Sequence, residues 1–248
     1  MAQVRVAGWV DGPLVGFDTE TTGVDVLTDR IVSAAVVRRD GGTTTVRTWL
    51  VDPGVPIPPA ATAIHGMTSD HAHRHGLPAR VALDEIADRL SQELRDGAPL
   101  VAYNASYDLT LLEVELRRHG LATLEQRLDG AQPMVLDPLV LDRHLDRYRL
   151  GARRLGMLCA HYGVDAEAEL HTADVDVLAT FEVLRAIAAA YPEVAALPLA
   201  QVHDLQVAAN LRWAAGVNTW REAEGLSGPG AETDWPQRPP EPAGVGRP

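Results

Sequence analysis

The chain has 248 residues, 46% of them apolar, which suits one domain of generous size or one domain with an appendage. It carries 22 basic and 34 acidic residues, and this formal net charge of −12 argues against tight, nonspecific binding of duplex nucleic acid. No segment has the pattern of a secretory signal or the roughly 20 apolar residues of a membrane span. The single cysteine, Cys159, can form no internal disulfide, so we expect a cytoplasmic protein without a membrane attachment.

Three β-rich segments come first in chain order. They are Leu14–Phe17, Ile31–Val37 and Thr43–Val51. The turn-forming residues Asp40-Gly41-Gly42 separate the second from the third, which predicts a hairpin.

Helical and strand patterns then alternate. Apolar residues at helical spacing predict the helices Ala79–Arg95, Tyr107–His119, Leu155–Tyr162 and Ala173–Tyr191. Short apolar runs predict the strands Pro99–Tyr103 and Met134–Leu136. A hairpin followed by such alternation predicts an α/β protein with helices packed on a mixed sheet.

The end of the chain differs in composition. We divide the sequence into a main domain over 1–195, a helical extension over 196–224 and a tail rich in Pro and Gly over 225–248. The tail has few apolar anchors, so we expect it to be largely disordered apart from docking of Trp235. The extension could pack on the core, form a dimer face or bind a partner, and the oligomeric state stays open.

The string Asp18-Thr-Glu20-Thr-Thr-Gly23 follows the first apolar run. Residues two apart in an extended chain share one face, so both carboxylates point the same way. Two buried like charges repel unless a cation lies between them, and Mg²⁺ or Mn²⁺ is the natural partner of such oxygen ligands. The competing interpretation is a pair of solvated acids at the end of a strand.

Two further segments carry candidate residues. Asp108 lies in the first turn of a predicted helix, where a simple capping role would also explain a carboxylate. His171 lies at or before the start of the last long helix of the main domain, and Asp176 lies in its second turn. Each of these residues taken alone could be an ordinary surface group.

Taken together, these positions resemble the DEDDh family of exonucleases, also called DnaQ-like. The family pattern is Asp-x-Glu on the first strand, an Asp at an early helix start, and His-x-x-x-x-Asp on a late helix; the resemblance covers roughly residues 13–190. It implies a ribonuclease H-like fold, with a mixed five-stranded sheet whose first three strands are antiparallel, helices on both faces and a C-terminal helical extension. It also implies two divalent ions, Mg²⁺ or Mn²⁺, held by Asp18, Glu20, Asp108 and Asp176, with His171 as general base.

Substrate contacts are implied at further positions. Ile64-His65-Gly66-Met67-Thr68 is similar to a family element beside the 3′ nucleotide, and Tyr103 stands where many members have His. An arginine-rich stretch over 143–154 with interleaved aromatic residues suits the backbone of a single strand, although a solvated surface explains it as well. The candidate substrate-binding residues are Thr21, Thr22, His65, Met67, Tyr103, Asn104, Arg149 and Arg153.

The expected function is hydrolysis of phosphodiester bonds from the 3′ end, with release of nucleoside 5′-monophosphates and a preference for DNA. The expected partners are single-stranded DNA or RNA 3′ ends, with polymerase or repair proteins as further candidates. An exoribonuclease of the oligoribonuclease or ribonuclease T type is one alternative, and a catalytically silent module that recruits a partner through 198–224 is another. The chain has no convincing clamp-binding peptide, which favours a free-standing enzyme over a polymerase subunit.

Overall fold

The computed structural model describes residues 8–165 and 171–239. Within them, six strands form one sheet in the order β4-β3-β2-β1-β5-β6. The strands are β1 (Leu14–Thr21), β2 (Ile31–Asp40), β3 (Thr43–Asp52), β4 (Leu77–Pro78), β5 (Leu100–Val101) and β6 (Val135–Leu136). The α/β class, the mixed sheet and the antiparallel first three strands are as predicted.

One strand more than the predicted five is present. The additional strand, β4, has two residues and pairs in parallel with Val51 and Asp52 at the end of β3. Such a short edge strand has no alternation of apolar and polar residues, so no sequence pattern indicates it. At the other edge, β5 and β6 run parallel to β1.

Strand β1 is longer than its apolar run indicates. It continues to Thr21 because it pairs with β2 throughout, and Asp18 lies opposite Ala35 in that pairing. On its other side β1 meets β5 only at Val15 and Gly16. The last residues of β1 therefore extend past β5, and one edge of their backbone is open to other partners.

Ten helices accompany the sheet in the described residues. They are α1 (Pro59–His65), α2 (Ser69–His75), α3 (Ala79–Leu94), α4 (Ala105–Arg118), α5 (Leu124–Arg127), α6 (Pro138–Leu145), α7 (Leu155–Tyr162), α8 (Ala173–Ala190), α9 (Pro192–Ala195) and α10 (Leu199–Ala223). The long predicted helices correspond to α3, α4, α7 and α8. The short helices α1, α2, α5 and α9 lack enough turns to show an apolar periodicity, and α6, which is as long as α7, was not predicted. None of the described helices is both long and apolar enough to cross a bilayer.

The helices cover both faces of the sheet, as the resemblance implies. Val15 and Phe17 of β1 face a core built with α3 and α4. Leu14 of the same strand faces a second core built with α6, α7 and α8. Because side chains alternate along a strand, Asp18 and Glu20 lie on the α8 side and Thr19 lies on the α4 side.

Gly16 lets α8 lie directly against β1. A Cβ atom at this position would come within 2.1 Å of Val177 Cγ1 and 2.8 Å of Phe181 Cζ. No larger residue fits without displacing the helix. The close approach matters for the site because Asp176 precedes Val177 on the same helix.

The C-terminal extension packs beside β6 and α6. Gln206 of α10 is fully buried; its side chain accepts a hydrogen bond from the Asp137 backbone N–H (2.7 Å) and donates one to the carbonyl of Val135 (2.9 Å). Trp235 is 7% exposed and docks in the core, and the backbone N–H of Arg238 donates to Thr110 Oγ1 of α4. These bonds tie the described part of the tail to the protein, while 240–248 lie outside the described residues and their flexibility stays a prediction.

Candidate active site

Three of the predicted residues meet in one cluster. Asp18 and Glu20 reach it from β1, and Asp176 reaches it from the first turns of α8. One carboxylate oxygen from each lies within 4.8 Å of one from each of the others. All three side chains are half-buried, so the cluster is open to a ligand from solvent. Asp174 is not in this cluster, as the family spacing predicts.

Asp108 approaches from the opposite face of the sheet. It is 3% exposed, and its Oδ1 accepts hydrogen bonds from the backbone N–H of Thr19 (3.0 Å) and from Thr19 Oγ1 (2.6 Å). Because β1 extends beyond the end of β5 here, the Thr19 backbone N–H has no strand partner. The Asp108 carboxylate accepts its hydrogen bond instead. Asp108 is thus anchored next to Asp18 and outside the group of three.

The four carboxylates disturb one another strongly. Burial, followed by repulsion from the other three, raises the pKa of Asp18 well above its ordinary value. Burial, then repulsion by Asp176 and Asp108, raises the pKa of Glu20 to about 8. Burial raises the pKa of Asp108 to about 7 against the hydrogen bonds from Thr19, and it also raises the pKa of Asp176. The raised pKa values indicate that, among the described residues, no basic side chain lies close enough to these acids to outweigh burial and favour their charged forms.

His171 stands beside this cluster. Its backbone N–H donates to Asp176 Oδ1 (3.1 Å), and its side chain is exposed. Its φ is 98°, in a region that residues with a Cβ rarely adopt and that costs about 1–3 kcal/mol. Such strain is common where a side chain is held for function. Residues 166–170, just before it, lie outside the described part of the chain.

The two threonines after Glu20 have internal partners. Thr21 Oγ1 donates to the carbonyl of Gly23 (2.6 Å) and lies 2.8 Å from the hydroxyl of Tyr107. Thr22 is 5% exposed and donates to Asp29 Oδ1 (2.7 Å). Thr22 therefore holds the loop after β1, and Thr21 lies at the edge of the site; contact of either residue with substrate stays a prediction.

His65 lies against the end of β1. Its Nδ1 accepts from the Met67 backbone N–H (3.1 Å), which leaves Nε2 to donate to the carbonyl of Thr21 (3.3 Å). Burial is the main cause that lowers its pKa, so the neutral ring is favoured. Met67 packs beside the small core formed by Val32 and Ile57. His65 is thus buried and is not an ordinary exposed turn residue, and both residues remain candidates for substrate contact.

Tyr103 and Asn104 precede α4. The hydroxyl of Tyr103 donates to the carbonyl of Arg153 (2.8 Å), and burial is the largest cause that raises its pKa. Asn104 is exposed and adopts the left-handed backbone conformation (φ 60°) that asparagine tolerates better than most residues. Asn104 is therefore available to a ligand, whereas Tyr103 is engaged by the protein; substrate contact stays a prediction for both.

Arg149 and Arg153 are bound to a buried acid. Arg149 Nη2 lies 2.9 Å and Arg153 Nε 2.7 Å from Asp142 Oδ2, and Asp142 is fully buried. Tyr162 donates to the other oxygen of that carboxylate (2.9 Å). This geometry favours a structural role for both arginines; their expected contact with phosphates is an untested prediction.

Sequence reasoning did not select three of the residues that hold the site. Thr19 anchors Asp108, and Tyr107 donates to the carbonyl of Gly23 (2.5 Å). Asp137, which directly follows the predicted strand Met134–Leu136, accepts from the backbone N–H groups of Asn104, Ala105 and Leu139. It therefore joins the starts of α4 and α6. An acid directly after a buried apolar run is the one sequence signal that could have marked it.

Comparison with protein families gives one match to most of the chain. Residues 15–184 match the family described as exonuclease. The match begins within β1 and ends within α8, so it includes the cluster of three carboxylates and both of the elements that carry it. It leaves out α10 and the tail.

Curated relatives include replicative polymerases. A DNA polymerase III PolC-type protein of Lacticaseibacillus paracasei is 31% identical over 174 residues, which is 70% of this chain and 11% of that protein. One from Streptococcus sanguinis is 32% identical over 168 residues, 64% of this chain and 11% of the relative. The chain thus spans only about a tenth of the length of these relatives.

Solved structures share the fold. Exonuclease I from Methylocaldum szegediense has a TM-score of 0.61 at 24% identity, over 81% of this chain and 43% of that one. Exonuclease I of E. coli in complex with a dT13 oligonucleotide has a TM-score of 0.60 at 19% identity, over 74% of this chain and 42% of that one. At these identities the likeness is one of fold.

Proposed function

This chain belongs to the exonuclease family, and from that premise we propose that it is a metal-dependent 3′→5′ exonuclease that prefers single-stranded DNA. The observation that carries the proposal is the cluster of Asp18, Glu20 and Asp176, whose carboxylate oxygens lie within 4.8 Å of one another. Burial raises the pKa values of all three acids, and repulsion by neighbouring acids adds to the effect at Asp18 and Glu20, as expected where carboxylates converge without a basic side chain paired to them in the described part of the chain.

The cluster fits a divalent cation. Mg²⁺ and Mn²⁺ prefer oxygen ligands, and three carboxylates at this spacing supply them without a competing sulfur or nitrogen. Asp18, Glu20 and Asp176 would hold one ion directly, while Asp108 would support a second ion from the far side of β1. When bound, two such ions acidify a water molecule and neutralise charge on the phosphoryl group.

The side chains around the cluster supply the remaining chemistry. We expect His171, tied through its backbone to Asp176, to accept the proton of the attacking water, because an imidazole nitrogen is a suitable general base. Thr19 holds the Asp108 carboxylate next to Asp18. We expect the exposed Asn104 and the edge residue Thr21 to contact the terminal nucleotide.

The preference for DNA rests on the relatives, and the 3′→5′ polarity rests on the resemblance to the DEDDh exonucleases. The PolC-type relatives are DNA polymerases, and the E. coli neighbour binds a dT13 oligonucleotide. An exoribonuclease remains the alternative within the family. A silent recruiting module is disfavoured because Asp18, Glu20 and Asp176 form an open cluster of carboxylates and Asp108 is anchored beside it.

One time course on end-labelled oligonucleotides tests the proposal. Single-stranded DNA and RNA of equal length, labelled at either end, are incubated with Mg²⁺. Removal from the 3′ end releases a 3′ label at once as a mononucleotide and shortens the 5′-labelled strand stepwise. Immediate release of a 5′ label would contradict the polarity, and faster loss of RNA would contradict the preference for DNA.

His171→Ala is the matched catalytic variant. Loss of a general base slows the chemical step by about 10²–10⁴-fold. His71→Ala removes another exposed histidine, on α2, and should leave the rate unchanged. Equal rates for His171→Ala and the unmodified chain would remove His171 from the mechanism.

A further inference from the structure

A groove lies between α6 and α10, away from the carboxylate cluster. It encloses about 520 Å³ and is lined by Val140 and Arg143 of α6 and by Trp213 and Trp220 of α10. Helix α10 follows the family match, which ends at residue 184, so the α10 wall of this groove lies outside the matched region.

The groove is basic within an acidic protein. Arg143, Arg147 and Arg212 line it, and within the described residues none of them has a carboxylate within 4 Å. A fourth lining arginine, Arg153, is neutralised by Asp142. The lining that the structure describes includes no Asp or Glu. Three guanidinium groups outside any described ion pair, in a chain of net charge −12, indicate a site for a negatively charged ligand.

Aromatic rings stand among these charges. Trp213 is 37% exposed and Trp220 is 57% exposed, although both are large apolar side chains. They are seven residues apart on α10, so they share one face of that helix. The guanidinium carbon of Arg143 lies 3.8 Å from the centre of the Trp213 ring, which fixes the ring beside a positive charge. Flat aromatic faces next to arginines match the alternation of bases and phosphates in a single strand.

The groove leads to the candidate active site. A second cavity of about 190 Å³ shares Arg143 and Trp213 with it and continues to Asn104 and Tyr107. The hydroxyl of Tyr107 lies 2.8 Å from Thr21 Oγ1, next to the catalytic Glu20. The acids along this stretch are engaged: Glu232 pairs with Arg238 (3.0 Å), and Asp137 accepts backbone N–H groups. One bound strand could therefore occupy both places.

We propose that the α6–α10 groove binds single-stranded nucleic acid on the 5′ side of the 3′ end that the carboxylate cluster holds. Phosphates of the strand contact Arg147 and Arg212, and bases stack on Trp213 and Trp220. The assignment of the strand's direction rests on the proposed function. An acidic peptide would also pair with the arginines, but it would make no use of the second cavity that connects the groove with the region of the carboxylate cluster.

The length of the oligonucleotide distinguishes binding in the groove from hydrolysis at the carboxylate cluster. The full chain is compared with the double variant Arg147→Glu and Arg212→Glu on a 15-nucleotide and a 3-nucleotide single strand. Binding of the 15-mer is measured by fluorescence anisotropy in EDTA, where no hydrolysis occurs. We expect its Kd to rise by on the order of 10-fold or more, and the slope of log K against log salt to fall by about 1.4, which corresponds to two lost phosphate contacts.

The controls match the change in charge and test stacking. Arg74→Glu combined with Arg185→Glu alters two exposed arginines on α2 and α8 by the same amount and should leave the Kd of the 15-mer unchanged. Trp220→Ala should weaken binding of the 15-mer without changing the salt slope. With Mg²⁺ present, every variant should degrade the 3-mer at the rate of the unmodified chain.

The outcomes distinguish the two proposals. An unchanged Kd for the 15-mer in the groove variants overturns the groove, as does an equal loss in the control variant. If the groove variants lost the binding of an acidic peptide but kept the binding of the 15-mer, the proposal would also be overturned. If the 15-mer binds as expected but neither oligonucleotide is hydrolysed with Mg²⁺, the groove is supported and the exonuclease proposal fails.

Discussion

Two clusters in this protein have nearly the same set of potential metal ligands. Asp18, Glu20 and Asp176 form one, and Asp142, Asp146 and His161 form the other. In each cluster the ligand atoms lie within 4.8 Å of one another. Ligand geometry alone therefore does not distinguish them.

Charge does distinguish them. Burial alone would raise the pKa of Asp142, but hydrogen bonds from Arg149, Tyr162 and Arg153 outweigh it and hold that pKa below its ordinary value. Around Asp18 and Glu20 the described residues place no arginine or histidine nitrogen within 4 Å, and both pKa values are raised. In the second cluster, arginine side chains supply the positive charge that stabilises the carboxylates. In the first cluster, a metal ion would supply it.

Asp18→Asn should have the largest effect on activity. It removes the acid that is repelled by Asp108, Asp176 and Glu20, and loss of one group that stabilises developing charge costs up to on the order of 10³-fold in rate. In EDTA the same variant should be at least as stable as the unmodified chain, because a repulsion is relieved. Nuclease rate and chemical denaturation measure the two effects, and a marked loss of stability in EDTA would contradict the absence of a counter-charge.

Asp142→Ala should have the largest effect on stability. It leaves Arg149 and Arg153 without their buried partner, which lowers the free energy of unfolding by about 3–5 kcal/mol. Asp146→Ala alters a 30% exposed neighbour in the same cluster and serves as the control, with a smaller loss. Calorimetric titration with Mn²⁺ should give unchanged binding for both variants at a temperature where they are folded. Weaker Mn²⁺ binding would show that the second cluster also holds an ion.

Gly16→Ala tests the position of α8, which brings Asp176 to the first cluster. The new methyl group would meet Val177 at 2.1 Å, and overpacking of this kind costs about 1–3 kcal/mol of stability. We expect a loss of nuclease activity and of Mn²⁺ affinity as α8 is displaced. Val177→Ala in the same chain should restore part of both, and a failure to restore either would locate the damage elsewhere.

The pH dependence of stability should be the smallest effect and has opposite signs in the two clusters. Glu20 keeps its proton up to about pH 8 in the folded state but only to about 4.5 when unfolded, so without metal it lowers stability as pH rises through that window. Asp142, whose pKa is depressed, adds stability above its ordinary pKa that is lost as pH falls below it. Melting temperatures from pH 3 to 9 in EDTA should therefore fall toward both ends.

Mn²⁺ supplies the control for this pH series. It binds the charged carboxylates, so it should raise the melting temperature more at pH 8 than at pH 5. Asp18→Asn should weaken the response to Mn²⁺, and Asp142→Asn should leave it intact. A stabilisation that did not depend on pH would contradict raised pKa values at the first cluster.

The sequence alone indicated the cluster of carboxylates and the class of fold. The acids of the first cluster lie on two elements with clear patterns: a short apolar run that predicts a buried strand and an 18-residue helix with an apolar stripe. Local periodicity is enough to place Asp18 and Glu20 on one face, and family spacing selects Asp176 over Asp174. The α/β class follows from the order of the same patterns.

Only the tertiary structure decided what surrounds those residues. Arg149 and Arg153 lie in a stretch with the composition of a phosphate-binding segment, but their partner Asp142 is buried on α6, a helix that was not predicted. Thr19 and Gly16 are ordinary in sequence and gain their roles from α4 and α8. The groove between α6 and α10 joins residues about 70 positions apart. Periodicity reports which face of an element is buried, whereas the partner across that face depends on packing between segments distant in the chain.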